Sequence, residues 1–193
     1  MEIALHTEQL EYLLTHLVHT PRRVHALGVF PADLAPVAAL CDANGVDRCM
    51  IVNTDPAARP GQHWLAFYYD AKRRQLEYFD PFGMPLRYYV DVFRSFQSCS
   101  GRSTPVEVVK GSPLQSFDST VCGFYCLVYL HYRAQTNKPM IKLRPHMLTQ
   151  TRDDWVVDKL HKLTHSHKCR ACPTASQCTM LSQRCVTRHD MRK

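Results

Sequence analysis

The stretch His63-Trp-Leu-Ala-Phe-Tyr-Tyr69, Lys72-Arg-Arg74, Leu76-Glu-Tyr-Phe79, Asp80-Pro-Phe-Gly83 decides the fold. Two aromatic-rich apolar runs flank a short cationic turn, which is the pattern of an antiparallel hairpin. Asp80-Pro-Phe-Gly83 then reads as a turn. In such a hairpin the residues near 63 and near 80 come together at the open end. A histidine followed by an aromatic residue is a weak signal alone. A His and an Asp meeting at the end of one hairpin form a stronger one.

Upstream, Cys49-Met-Ile-Val-Asn53 is another short apolar run of strand type. The turn-rich segment Asp55-Pro-Ala-Ala-Arg-Pro-Gly61 connects it to the hairpin. Residues 31–45 read as loop with a short helix. At the start of the chain, Thr7 can cap a helix running to about His19, because Leu10, Leu13, Leu14, Leu17 and Val18 recur at helical spacing.

Downstream, Pro85 suits the first position of a helix. Leu86, Tyr89, Val90, Phe93 and Phe96 then fall on one apolar face. Val106-Glu-Val-Val109 reads as a fourth strand. From Cys122 to about Tyr132 the chain is almost wholly apolar with no breaker after Gly123, so a buried helix is expected. Thr151 or Asp153 can cap one more helix, bearing Trp155, Val156, Leu160 and Leu163. The fold class expected from these elements is α+β, with a small central, mostly antiparallel sheet packed against helices.

Cys122 opens that buried helix. A thiol there faces unpaired backbone N–H groups and the positive end of the helix dipole, and both favour the reactive thiolate. A small buried apolar residue would look the same in sequence. A cysteine nucleophile needs a base, itself oriented by a third group; His63 and Asp80 are placed to supply them. Gln115 precedes Cys122 by seven residues. Its amide and the Cys122 N–H are two donors for the oxyanion that thiolate attack on a carbonyl creates, although a lone Gln in a loop is more often solvated.

Ile51-Val-Asn-Thr54, His63-Trp64 with Ala66-Phe67, Tyr78-Phe-Asp-Pro-Phe-Gly83, and Gln115 with six residues before Cys122-Gly123 together resemble the adenovirus endopeptidase (adenain) family. The resemblance covers roughly residues 47–131 and keeps the family's order of His, acid, Gln and Cys. It implies an α+β cysteine protease, with His63 as base, Asp80 as its orienter, Cys122 as nucleophile and Gln115 in the oxyanion hole. The acid is usually Glu in adenovirus enzymes. Asp at this place is similar to the cellular SUMO-specific proteases of the same clan.

The implied function is a viral thiol endopeptidase that cleaves viral precursor proteins near Gly residues during virion maturation, in the host nucleus and the virion. The alternative is a deubiquitinase or deSUMOylase-like isopeptidase acting on ubiquitin-like conjugates. By resemblance an activating viral peptide and DNA are candidate partners; Cys99 lies ahead of Gln115, as the family's peptide-joining Cys does, but the segment between them is longer than in the family. No cofactor is required for the chemistry and no metal is expected at the catalytic residues.

The chain has 193 residues, 45% hydrophobic and 21% charged, which is ordinary for a soluble globular protein and excludes disorder along most of its length. No basic segment precedes an apolar run near Met1, so no secretory signal is expected. No run of about 18 apolar residues suggests a membrane span. The nine cysteines are then expected to be mostly reduced.

The formal charge of +7 is uneven. Residues 130–193 hold 13 Lys/Arg against 4 Asp/Glu, a net +9; residues 1–129 hold 11 against 13, a net −2. A basic third with Lys159, Lys162, Lys168, Arg170, Arg184, Arg188, Arg192 and Lys193 suits viral DNA, and equally a solvated basic face.

The expected organisation is a monomer with a protease domain over 1–168 and a basic, Cys/His-rich tail over 169–193. In that tail Cys169, Cys172, Cys178 and Cys185, flanked by His165, His167 and His189, are compatible with zinc, with disulfides or with free thiols.

Overall fold

The computed structural model describes residues 4–18, 24–41, 45–97, 106–107, 113–136 and 152–166. The chain divides into two compact units, Met1–Leu160 and His161–Lys193. The first carries the whole sheet. The expected boundary at 168 and the cysteines of the tail lie outside the described residues.

The fold is α+β. Five strands are ordered β1-β2-β3-β4-β5: His25–Phe30, Arg48–Asn53, Trp64–Asp70, Gln75–Phe79 and Val106–Glu107. The centre is antiparallel as expected, with β2 paired to β3 and β3 to β4. The two edges add parallel pairings, β1 with β2 and β4 with β5.

Strand β1 has no counterpart in the sequence reading. Its middle holds Gly28 at φ 130, where the register to β2 slips between Ala26 and Gly28. That bulge breaks the alternation by which a strand is recognised.

Side chains alternate across the sheet, and both faces are buried. Met50, Val52, Leu65, Phe67, Tyr69, Leu76 and Tyr78 point to one core. It is closed by the short helix α2 (Val37–Leu40) and by α3 (Val90–Gln97), whose Phe96 stacks on Phe67 with ring centroids 4.1 Å apart. Burial on both faces explains why the strand runs are almost continuously apolar rather than alternating.

The other face meets α4 (Cys122–Thr136), whose Tyr129 stacks on Phe79 at 4.4 Å. Helix α1 (Thr7–Val18) packs against α4 through Leu10, and the His131 ring bonds the Leu17 carbonyl. At Gly123 the helices pack tightly: a Cβ there would sit 3.0 Å from Leu10 Cδ2, which would have to give way by a few tenths of an ångström.

The helix expected from Pro85 is split. Leu86–Tyr88 forms a 3-10 turn, and α3 begins only at Val90. Tyr89 between them has ψ 86, which breaks the ladder, and its hydroxyl reaches Asp80. The last helix, α5, spans Arg152–Ser166.

Candidate active site

The first turn of α4 holds the thiol. The amides of Phe124 and Tyr125 turn back to the Val121 carbonyl, so the helix starts at Cys122 and its leading amides face the site. Cys122 is buried and carries a free thiol, as do Cys49 and Cys126, whereas Cys41 is disulfide-bonded. Cys126, one turn further on, gives its S–H to the Trp64 carbonyl and ties α4 to the start of β3.

The open end of the β3–β4 hairpin supplies the other two groups. His63 immediately precedes β3 and Asp80 immediately follows β4. The His63 ring donates from Nε2 to Asp80 Oδ1 at 2.7 Å, with the two residues 6% and 1% exposed. Asp80 also accepts from the Phe82 amide at Oδ1, and from the Met84 amide and the Tyr89 hydroxyl at Oδ2. With four donors on one carboxylate, its orientation is set by its own turn and by Tyr89.

Nε2 is committed to Asp80, so Nδ1 is the ring nitrogen left for Cys122, which lines the same cleft. Burial by itself would lower the imidazole pKa. Hydrogen bonds to Asp80 and Cys122, together with their charges, outweigh it and raise His63 to about 9. The ring is further clamped by Phe82, stacked at 4.3 Å, and by Tyr89 at 5.8 Å.

Gln115 is 2% exposed rather than solvated. Its loop hangs from the same turn as Asp80, because the amides of Leu114 and Gln115 both bond the Pro81 carbonyl. One side-chain N–H bonds the Ser119 carbonyl at 2.8 Å, which fixes the amide and leaves its second N–H. His63, Gln115 and Cys122 line one cleft of about 590 Å³, with Phe30, Asn53, Trp64 and Phe82 in its walls. A Cβ at Gly61 would fall 2.1 Å from Asn53 Nδ2, so a larger residue there would displace the Asn53 side chain.

All four residues singled out in the sequence thus gather at one place. Phe82 and Tyr89 were not anticipated as part of it. Phe82 had a signal, its position two residues past Asp80 in the turn. Tyr89 had none, because helical periodicity assigns it to a core face. Among the described residues no group of three or more His, Cys, Asp or Glu side chains is arranged to hold a metal ion. Cys99 and the tail cysteines lie outside the described residues. No described helix is long and apolar enough to cross a membrane.

A model of the adenovirus endoprotease family matches residues 27–170. A protein named Protease from Porcine adenovirus A serotype 3 is 34% identical over 91 residues, 42% of this chain and 45% of that relative. Another named Protease, from Bovine adenovirus 7, is 33% identical over 99 residues, 45% of this chain and 48% of that relative. The chain spans about half the length of the curated relatives it matches. Among solved structures, that of ChlaDub1 from Chlamydia trachomatis superposes with a TM-score of 0.57 over 88% of this chain and 94% of that one. At 12% identity this is a likeness of fold alone.

Proposed function

The chain belongs to the adenovirus endoprotease family, and from that premise we propose that it is a cysteine endopeptidase whose chemistry is carried by Cys122, His63, Asp80 and Gln115. What supports the reading is one histidine, bonded to Asp80 through Nε2, in the wall of a cleft that Cys122 and Gln115 also line.

In the proposed reaction His63 takes the Cys122 proton, and the imidazolium is stabilised by Asp80. The thiolate attacks a peptide carbonyl, forming an S–C bond and an oxyanion. The oxyanion is held by the Cys122 N–H and the free N–H of Gln115. Collapse breaks the C–N bond, and His63 gives its proton to the leaving amine. Water, deprotonated by His63, then cleaves the thioester, returning the thiol and releasing the acid.

The proposed substrates are viral precursor proteins cut near Gly during virion maturation, in the host nucleus and the virion. The basic C-terminal third, net +9, is the proposed docking surface for viral DNA.

A panel of Gly-containing peptides, run beside ubiquitin and SUMO fusions, tests the activity. Cleavage of peptides by the wild type and none by Cys122→Ala, at unchanged melting temperature, is expected. Cleavage of the fusions alone would replace the maturation reading with an isopeptidase one. Equal activity in Cys122→Ala would overturn the assignment of the nucleophile. Duplex-DNA affinity should fall with salt, and an affinity independent of salt would remove DNA from the account.

A further inference from the structure

Phe117 is 66% exposed, although it sits two residues from Gln115. Its ring stacks on Phe82 at 5.2 Å and 20°, and Phe82 stacks on His63 at 4.3 Å and 20°. The three rings form one continuous stack running outward from the base. Phe82 also lines the cleft, while Phe117 stands outside its lining.

The loop that presents Phe117 is anchored on both sides. Gln115 is held to the Pro81 carbonyl, the Ser116 amide faces the Asp153 carboxylate at 3.3 Å, and the Ser119 amide closes back on the Ser116 carbonyl. An aromatic ring held in water by an anchored loop keeps apolar area that a ligand can cover.

We infer that Phe117, with Phe82, is a specificity-determining shelf for an apolar side chain of the substrate immediately after the scissile bond, a step that rests on the peptidase reading above. The side is set by chemistry. The leaving nitrogen must come within hydrogen-bond reach of His63, which protonates it. The residue bearing that nitrogen therefore leaves the site past the His63 ring, whose face Phe82 covers and beyond which Phe117 extends. The cleft, which Phe117 does not line, takes the acyl side.

The test uses the full chain and two peptides identical up to the cut, with either Gly or Phe as the first residue after it. The wild type should favour the Phe peptide in kcat/KM by about tenfold, the scale of one partly buried ring, mainly through KM. Phe117→Ala should bring that ratio close to one, and Phe117→Trp should keep it. A loop merely loosened by the substitution would lower kcat on both peptides alike and keep the ratio. A kept ratio in Phe117→Ala, or no preference in the wild type, overturns the shelf while leaving the peptidase reading intact. A wild type inactive on every peptide overturns the peptidase reading itself.

Discussion

The β3–β4 hairpin carries an ionic cluster at each end, and the two are built differently. At the turn end Arg133 of α4 is fully buried between Asp70 and Glu77. Its Nη2 reaches Asp70 Oδ2 at 2.8 Å and Glu77 Oε1 at 2.9 Å, and its Nε reaches Glu77 Oε2 at 2.8 Å. Arg73 closes Asp70 from outside, Tyr129 donates to Glu77 at 2.6 Å, and the guanidinium lies 4.2 Å over the Tyr68 ring. Each carboxylate there is met by an Arg.

At the open end Asp80 is met by a titratable ring instead, and the far side of that ring is left to a thiol beside a cleft. The comparison teaches that buried charge becomes structural when it is saturated by groups that cannot lose a proton. It becomes chemical when one partner can hand a proton on.

Four variants can break or sharpen this contrast. The largest effect expected is on activity, from His63→Ala. Loss of the base should lower kcat/KM by about 10⁴-fold or more, while Tm moves little. A large drop in Tm would make the open end as structural as the turn end.

Next is stability, from Arg133→Met. Asp70 and Glu77 would both lose the buried Arg133 guanidinium, at a cost of about 3–5 kcal/mol in chemical denaturation. Burial opposes the Asp70 charge, but the Arg73 amide and the Arg73 and Arg133 guanidinium groups outweigh it and depress its pKa below 3.8. That stabilisation is complete above the unfolded value and is lost as pH falls below it. The wild type should therefore lose more stability below about pH 4 than Arg133→Met does. Parallel acid curves would show that Arg133 does not carry the pairing.

The smallest effect is from Tyr89→Phe, which removes one of four donors to Asp80. It should lower kcat by a few-fold, about 1 kcal/mol, with KM kept. A companion pH profile locates the ring. His63 is raised to about 9, so the wild type should lose activity as pH rises through that value. In Asp80→Asn the raising partner is weakened while burial remains, so the basic limb should move down. An unmoved limb would detach Asp80 from His63.

The hairpin, the buried helix behind Cys122 and the meeting of His63 with Asp80 were legible in the sequence. Each rests on local pattern: apolar runs around a cationic turn, a breaker-free apolar stretch, and residues at matching distances from one turn. Strand β1 was not, because Gly28 interrupts its pleat. Nor was the break at Tyr89, where the hydroxyl reaches a residue nine positions away that helical periodicity does not register. Arg133, just past the apolar run, was not singled out in the sequence. Only the register of β3 and β4 beneath α4 shows that two carboxylates wait for it.

Sequence by itself determined which residue types are present in the order nucleophilic chemistry needs, and that the strands and α4 must be buried. Tertiary structure alone decided that Gln115 is buried and fixed rather than solvated, that Nε2 and not Nδ1 faces Asp80, and that Phe117 stands beside the site. The reason is physical. Periodicity and turn chemistry act over a few residues. Burial, tautomer and ring stacking depend on groups brought together by the packing of α4 and the 113–120 loop onto one end of the sheet.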